Sequence, residues 1–205
     1  APGESILKAA QRAGVDIPHL CHKDGLRSPG NCRACVVDIE GERVLAPSCC
    51  RAPTEGMVVN TATARATQAR RTVIELLLSD APDTQQLKHD SELARWADST
   101  GALPGHFGAP PESQVVDTSH PAMTVNLDAC IQCTRCIRAC RETQGNDVLG
   151  LAFRGGHAQI VFDQNDPMGD STCVACGECV QACPTGALAP ANGAYARPSD
   201  AQVNS

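Results

Sequence analysis

Apolar residues near the start of the chain recur at helical spacing, with Ile6, Ala9, Ala10 and Ala13 on one face, Ser5 ahead of them as an N-cap and Gly14 behind them as a stop. The pattern then changes to alternation. Cys35 to Ile39 and Val44 to Ala46 read as two strands joined through Glu40-Gly41-Glu42, and Gly56 to Thr61 as one more short strand. Helical periodicity returns over Thr63 to Leu78, turning Ala66, Ala69, Val73, Leu76 and Leu77 inward until Pro82 stops the run. A second helix, capped by Asp90, packs Leu93, Trp96 and Ala97 and ends near Gly101, after which residues 102–116 form a Pro-rich and Gly-rich linker. Farther on, Val148 to Phe153 and His157 to Phe162 flank Arg154-Gly155-Gly156 and predict a hairpin. The whole pattern predicts an α+β chain in four stretches: 1–62, 63–118, 119–191 and a tail at 192–205.

The third stretch spells one cysteine pattern twice, as Cys130, Cys133, Cys136, Cys140 and then Cys173, Cys176, Cys179, Cys183. Both halves read C-x2-C-x2-C-x3-C. The agreement extends past the thiols, since Ile131 matches Val174, Ile137 matches Val180 and Ala139 matches Ala182, with Pro184 closing the second copy. In such a duplication three thiolates of each half wrap one cubane, and the fourth, on a short helix, points to the cluster of the other half. The spacing therefore assigns Cys130, Cys133, Cys136 and Cys183 to a first [4Fe-4S] cluster, and Cys140, Cys173, Cys176 and Cys179 to a second. A pair of four-cysteine zinc sites is the plainer reading, but structural zinc favours two C-x2-4-C knuckles separated by a longer loop.

Earlier in the chain, Cys21, Cys32, Cys35 and Cys49 give C-x10-C-x2-C-x13-C. This differs from the plant-type [2Fe-2S] spelling only in its longer first loop. Gly25 and Gly30 suit a loop whose backbone N–H groups approach the sulfides, which raises the potential. A Rieske centre needs two histidine ligands, and His22 adjoins Cys21 without that spacing, so His19 and His22 read as ordinary loop residues.

Composition supports a chain held partly by its clusters. Aromatic residues make up 2% of 205 positions, leaving few large side chains for a core. Metal–ligand bonds that exist only in the folded chain contribute folding free energy directly. Thirteen cysteines in thiolate-cluster spacing predict a reducing, cytoplasmic setting more than a disulfide scaffold. The formal charge of −6 speaks against nucleic acid, and no apolar run reaches the ~20 residues of a membrane span. With no G-x-G-x-x-G and no phosphate loop, flavin and nicotinamide are expected to bind elsewhere.

Residues 4 to 61 resemble the [2Fe-2S] domain of the large iron-sulfur subunit of respiratory complex I, shared with iron-only hydrogenases and with the alpha subunit of NAD-dependent, molybdenum- or tungsten-containing formate dehydrogenases. The wording Asp117-Thr118-Ser119-His120-Pro121-Ala122, Asn146-Asp147-Val148-Leu149-Gly150 and Asp166-Pro167-Met168-Gly169-Asp170-Ser171-Thr172-Cys173 most resembles the formate dehydrogenase branch. The resemblance implies a truncated β-grasp [2Fe-2S] ferredoxin-like domain, a helical linker and a two-[4Fe-4S] bacterial-ferredoxin-like domain. It selects Cys49 over Cys50 as the fourth ligand of the first cluster, since that position follows Pro47-Ser48. Its relatives begin with a β-hairpin before the first helix and continue into a pterin-bound metal domain, so the chain is expected to be a fragment. The implied function is an electron wire between a flavin- and NAD-binding, diaphorase-type partner and a molybdenum-pterin catalytic domain, with no catalytic residue in the chain itself. A free-standing polyferredoxin carrier and an amino-terminal piece of a hydrogenase or complex I subunit are the alternatives. Relatives of the last kind place a cluster held by one His and three Cys between the two regions, where no cysteine lies between Cys50 and Cys130 and where His89 and His106 stand alone.

Overall fold

The computed structural model describes residues 3–80, 91–107 and 115–191. Helix α1 (Ile6–Arg12) starts where Ser5 Oγ accepts the Lys8 amide at 3.3 Å, and Gly14 takes φ +75° just past its end. Its buried Ile6 and Leu7 pack on Ile17, Val37, Ile39 and Ala46. Those residues line a small antiparallel sheet of β1 (Val36–Ile39), β2 (Ala46–Pro47) and β3 (Val59–Asn60), with β1 in the centre. The expected strands are all present but shorter. Pairing of Val37 with Ala46 puts Val44 outside the ladder, where it is exposed.

Helix α2 (Ala64–Ser79) is capped by Thr63, whose Oγ1 accepts the Ala66 amide at 3.2 Å. Its inward face differs from the expected one: Ala66, Arg70, Ile74, Glu75 and Leu78 are buried, while Leu76 is exposed. Arg70 explains the rotation, because its guanidinium donates to the carbonyls of Val36 at 3.1 Å and Thr61 at 2.6 Å and so docks the helix on the sheet. Helix α3 (Glu92–Thr100) is capped by Ser91, whose Oγ accepts the Ala94 amide at 3.1 Å. Asp90, the expected cap, lies outside the described residues, as do Pro82 and His89. Gly101 closes α3 at φ +65°. Ile74 and Leu78 of α2 meet Leu93 and Ala97 of α3 in a second apolar cluster, which also takes in Leu20 and Ala34.

The third stretch holds β4 (Met123–Val125), α4 (Arg135–Arg138), the hairpin β5 (Leu149–Ala152) with β6 (Gln159–Phe162), α5 (Glu178–Ala182) and β7 (Leu188–Pro190). β4 pairs antiparallel with β7, and β5 with β6 in the register Leu149 to Phe162. The duplication read from the cysteines recurs in the backbone. Gln132 and Ala175 take φ +52° and +56°, and Thr134 and Gly177 take +62° and +76°, at matching positions ahead of α4 and α5. Left-handed backbone is uncommon outside glycine, so its recurrence marks a shared loop that folds around the thiols.

Two of the sequence words that carried the family resemblance fold against each other. Asp117 Oδ2 accepts the Met168 amide at 2.7 Å, and Ser119 Oγ accepts the Gly169 amide at 2.8 Å. A side chain at Gly169 would meet the Ser119 carbonyl oxygen at 2.5 Å, so the position admits only glycine without a shift of backbone.

Candidate iron-sulfur sites

The first group of thiols closes between α1, β1 and the loop after β2. Cys21, Cys35 and Cys49 are buried and Cys32 half-buried, with the Cys21 amide donating to Cys32 Sγ at 3.4 Å. Their sulfurs are near enough to share protons. Hydrogen bonds from Cys32 and then Cys49 pull the Cys21 thiol down to about 2, and a bond from Cys49 pulls Cys35 down to about 6. Cys32 and Cys49, holding the shared protons, are pushed up. Four thiols that compete for charge in one buried pocket are relieved when a cation compensates them.

Ser48 aims this group. It is fully buried, and both its amide, at 3.1 Å, and its hydroxyl, at 2.7 Å, donate to the Cys35 carbonyl. With Ser48 fixed, Cys49 turns into the pocket and Cys50 turns out. Cys50 is exposed, with Sγ 3.4 Å from Cys49 Sγ and 3.8 Å from the Ser28 carbonyl. Gly30 answers to that arrangement, since a side chain there would meet Cys50 Sγ at 2.5 Å. A side chain at Gly25 would meet nothing within 4 Å, so glycine is favoured there by its φ of +86° alone.

The eight thiols of the third stretch divide between two cavities. One is walled by Cys130, Cys133, Cys136 and Cys183 with Leu127, Ile131, Ile160 and Leu188. The other is walled by Cys140, Cys173, Cys176 and Cys179 with Val148, Leu149 and Val174. Backbone N–H groups face sulfur in both halves, from Gln132 to Cys130 at 3.5 Å and from Ala175 to Cys173 at 3.4 Å. Burial pushes Cys130 up to about 11, Cys133 and Cys179 up to about 12, and Cys136 well up. Among the described residues no three His, Cys, Asp or Glu donors close round one metal ion, the thiols being spread over the cavity walls. Sulfur donors, apolar walls and amides aimed at sulfur are the environment in which iron-sulfur clusters are held, so the residues present fit such groups.

Comparison with known proteins agrees with that chemistry. Residues 1–64 match the family described as 2Fe-2S iron-sulfur cluster binding domain, and residues 120–189 match the NADH-quinone oxidoreductase subunit 3, ferredoxin-like domain. The chain is an iron-sulfur electron-transfer module. Its cofactors are one [2Fe-2S] and two [4Fe-4S] clusters.

The module is 38% identical over 91% of its length to the NADP-reducing hydrogenase subunit HndD of Solidesulfovibrio fructosivorans, covering 33% of that protein. The mitochondrial NADH-ubiquinone oxidoreductase 78 kDa subunit of Candida albicans is 34% identical, again over 91% of the module, and 26% of it is covered. The mitochondrial NADH dehydrogenase [ubiquinone] iron-sulfur protein 1 of Solanum tuberosum is 34% identical over the same share, with 25% of it covered. The module thus spans a third or less of these relatives. A crystal structure of an NAD+-reducing [NiFe]-hydrogenase in the H2-reduced state superposes with a TM-score of 0.86 at 29% identity, covering 97% of the module and 85% of that chain.

Two residues that pattern reading passed over join the regions of the module. Arg135 is 2% exposed and grips the Glu92 carboxylate with bonds of 2.7 and 2.9 Å while also donating to the His22 carbonyl. Arg138, also buried, donates to the Arg27, Cys21 and Cys133 carbonyls. A signal was present in the repeat itself, since the second half has Glu178 and Gln181 at the matching positions. His19 and His22 serve the loop: His22 bonds Ser28 and Asp24, and the His19 carbonyl accepts from the Trp96 indole at 3.0 Å. His106 pairs with Glu75 at 3.1 Å. No described helix is long and apolar enough to cross a membrane.

Proposed function

We propose that the module is a three-site electron relay, with Cys21, Cys32, Cys35 and Cys49 holding the [2Fe-2S] cluster, Cys130, Cys133, Cys136 and Cys183 one [4Fe-4S] cluster, and Cys140, Cys173, Cys176 and Cys179 the other. The clusters supply one-electron transfer; the chain positions them and tunes their potentials. The supporting observation is the serial order of the thiols along the apolar interior. Cys35 and Cys49 sit in the cluster under α1, Cys32 packs on the cluster that also receives Cys130 and Cys183, and those two in turn border the one that holds Cys136, Cys140 and Cys179. The last group reaches the surface at Cys176 and Val174, an end that a partner can approach.

In this reading residues 1–62, 63–118 and 119–191 are the truncated β-grasp domain, the linker and the two-cluster domain, in a protein of the cytoplasm. One end of the relay faces a flavin- and NAD-binding partner, and the other a molybdenum- or tungsten-pterin domain that oxidises formate. The formate branch rests on the resemblance of the wording around Asp117-Thr118-Ser119 and Met168-Gly169, two stretches that fold against each other. A hydrogenase-type complex is the second reading, favoured by the 38% identity to a hydrogenase subunit.

The native complex carrying Cys35→Ser tests the relay when assayed with NAD and with a dye that takes electrons near the catalytic metal. NAD reduction is expected to collapse while dye reduction survives. Undiminished NAD reduction, with the [2Fe-2S] signal gone, would remove that cluster from the path. Formate as the effective reductant supports the first branch, and hydrogen in its place selects the second.

A further inference from the structure

Arg138 stands between two candidate sites and touches the backbone of both. Its Nη1 donates to the Arg27 carbonyl at 2.7 Å, and its Nη2 donates to the Cys21 carbonyl at 2.6 Å and the Cys133 carbonyl at 3.4 Å. Cys21 belongs to the first group of thiols and Cys133 to the second. The side chain is 7% exposed, and among the described residues it makes no ion pair, its hydrogen bonds going to carbonyls while Nε has no partner. The field of a guanidinium held in that way is screened poorly by its surroundings. The matching position in the second half of the repeat is Gln181, which is exposed, so the arginine is not required by the ferredoxin loop. Its neighbour Arg135 clamps Glu92 and the His22 carbonyl independently, so contact between the two regions does not rest on Arg138 alone.

We propose that Arg138 couples the [2Fe-2S] site to the nearer [4Fe-4S] site, fixing the two ligand loops relative to each other and raising the reduction potentials of both through its buried positive charge. The inference rests on the ligand assignment proposed above. Reduction adds negative charge to a site already ringed by thiolates, and a fixed cation nearby favours the reduced form. Arg138 is thus a positioning residue, acting through the Cys21 and Cys133 backbone.

The test uses the full chain loaded anaerobically with iron and sulfide, as wild type, Arg138→Gln and Arg138→Lys, titrated with dithionite and followed by EPR. Signals of the two [4Fe-4S] clusters are told apart with Cys183→Ser. Arg138→Gln is expected to lower the potentials of the [2Fe-2S] cluster and of the cluster at Cys130, Cys133, Cys136 and Cys183, with a smaller change at the other. Arg138→Lys keeps the charge but not the fork, so it is expected to hold the potentials nearer to wild type while the magnetic interaction between the first two reduced clusters weakens. Unchanged potentials in an Arg138→Gln protein of full iron content would overturn the coupling. If Arg138→Gln does not load, Arg138→Lys decides, and a magnetic interaction equal to wild type sinks the idea. A wild-type chain without a [2Fe-2S] signal would instead defeat the ligand assignment, and the inference with it.

Discussion

Cys49 and Cys50 are neighbours in sequence and separate in space because Ser48 commits both its amide and its hydroxyl to the Cys35 carbonyl. Cys50→Ala is therefore expected to leave the [2Fe-2S] absorption and EPR signal intact, and Cys49→Ala to lose them. Retention of the signal in Cys49→Ala together with Cys50→Ala losing it would reverse the assignment. A pH dependence follows from the same scale. Burial raises Cys130, Cys133 and Cys179 toward about 11 to 12, above the ordinary thiol value of 9.0, so these groups are protonated in the iron-free fold at neutral pH. Ligation requires thiolate, and each such cysteine releases a proton on binding iron. Iron affinity in competition with a chelator is expected to rise between about pH 7 and about pH 8.5, and flat affinity would mean the thiols are already ionised. The sign for the iron-free chain is the opposite: raised thiols favour the fold below the unfolded value near 9, and that contribution is lost as pH climbs through 11 to 12.

The elements show which features a linear pattern carries. Spacing revealed the duplicated thiols, the cap at Ser5 and the β5–β6 hairpin, because each depends on residues a few positions apart, whereas Thr63, read as the first helical residue, is the cap of α2. The inward face of α2 departs from its apolar pattern because Arg70 and Glu75 count as polar in any binary reading. In the fold Arg70 is satisfied by the Val36 and Thr61 carbonyls, and Glu75 by Arg71 and His106. Arg138 escapes such a reading for the same reason, its Cys21 carbonyl partner lying 117 positions away. The site was legible where one repeat supplies the ligands and illegible where two regions meet. The cavity walled by Cys130, Cys133, Cys136 and Cys183 draws its fourth thiol from just after α5, so Cys183→Ser is expected to damage the cluster beside α4 and spare the one beside α5. EPR of the variant with the opposite pattern of loss would refute the exchange of ligands between halves.

At the scale of the molecule, the three apolar clusters of the interior include or border nine of the twelve candidate ligands, and the largest of them counts Cys136, Cys140 and Cys179 among its buried members. Single Trp and Tyr residues and three Phe leave little else to fill that volume. Iron thus becomes part of the core, and the free energy of binding it is free energy of folding. Anaerobically loaded chain is expected to hold ten iron atoms, two in the [2Fe-2S] and four in each [4Fe-4S] cluster, with matching sulfide and negligible zinc. Removing them with a chelator should raise amide hydrogen exchange throughout the loops that carry Cys21 to Cys35 and Cys130 to Cys183. Within α2 and α3 the rise should be smaller, since Ile74, Leu78, Leu93 and Ala97 bury one another without a ligand among them. Reloading with iron and sulfide should restore protection in the same loops. Equal protection with and without iron would show that side-chain packing alone holds the cysteine regions and that the clusters are guests of a finished fold; stoichiometric zinc in chain isolated from its native host would overturn the iron-sulfur assignment of the duplicated motif.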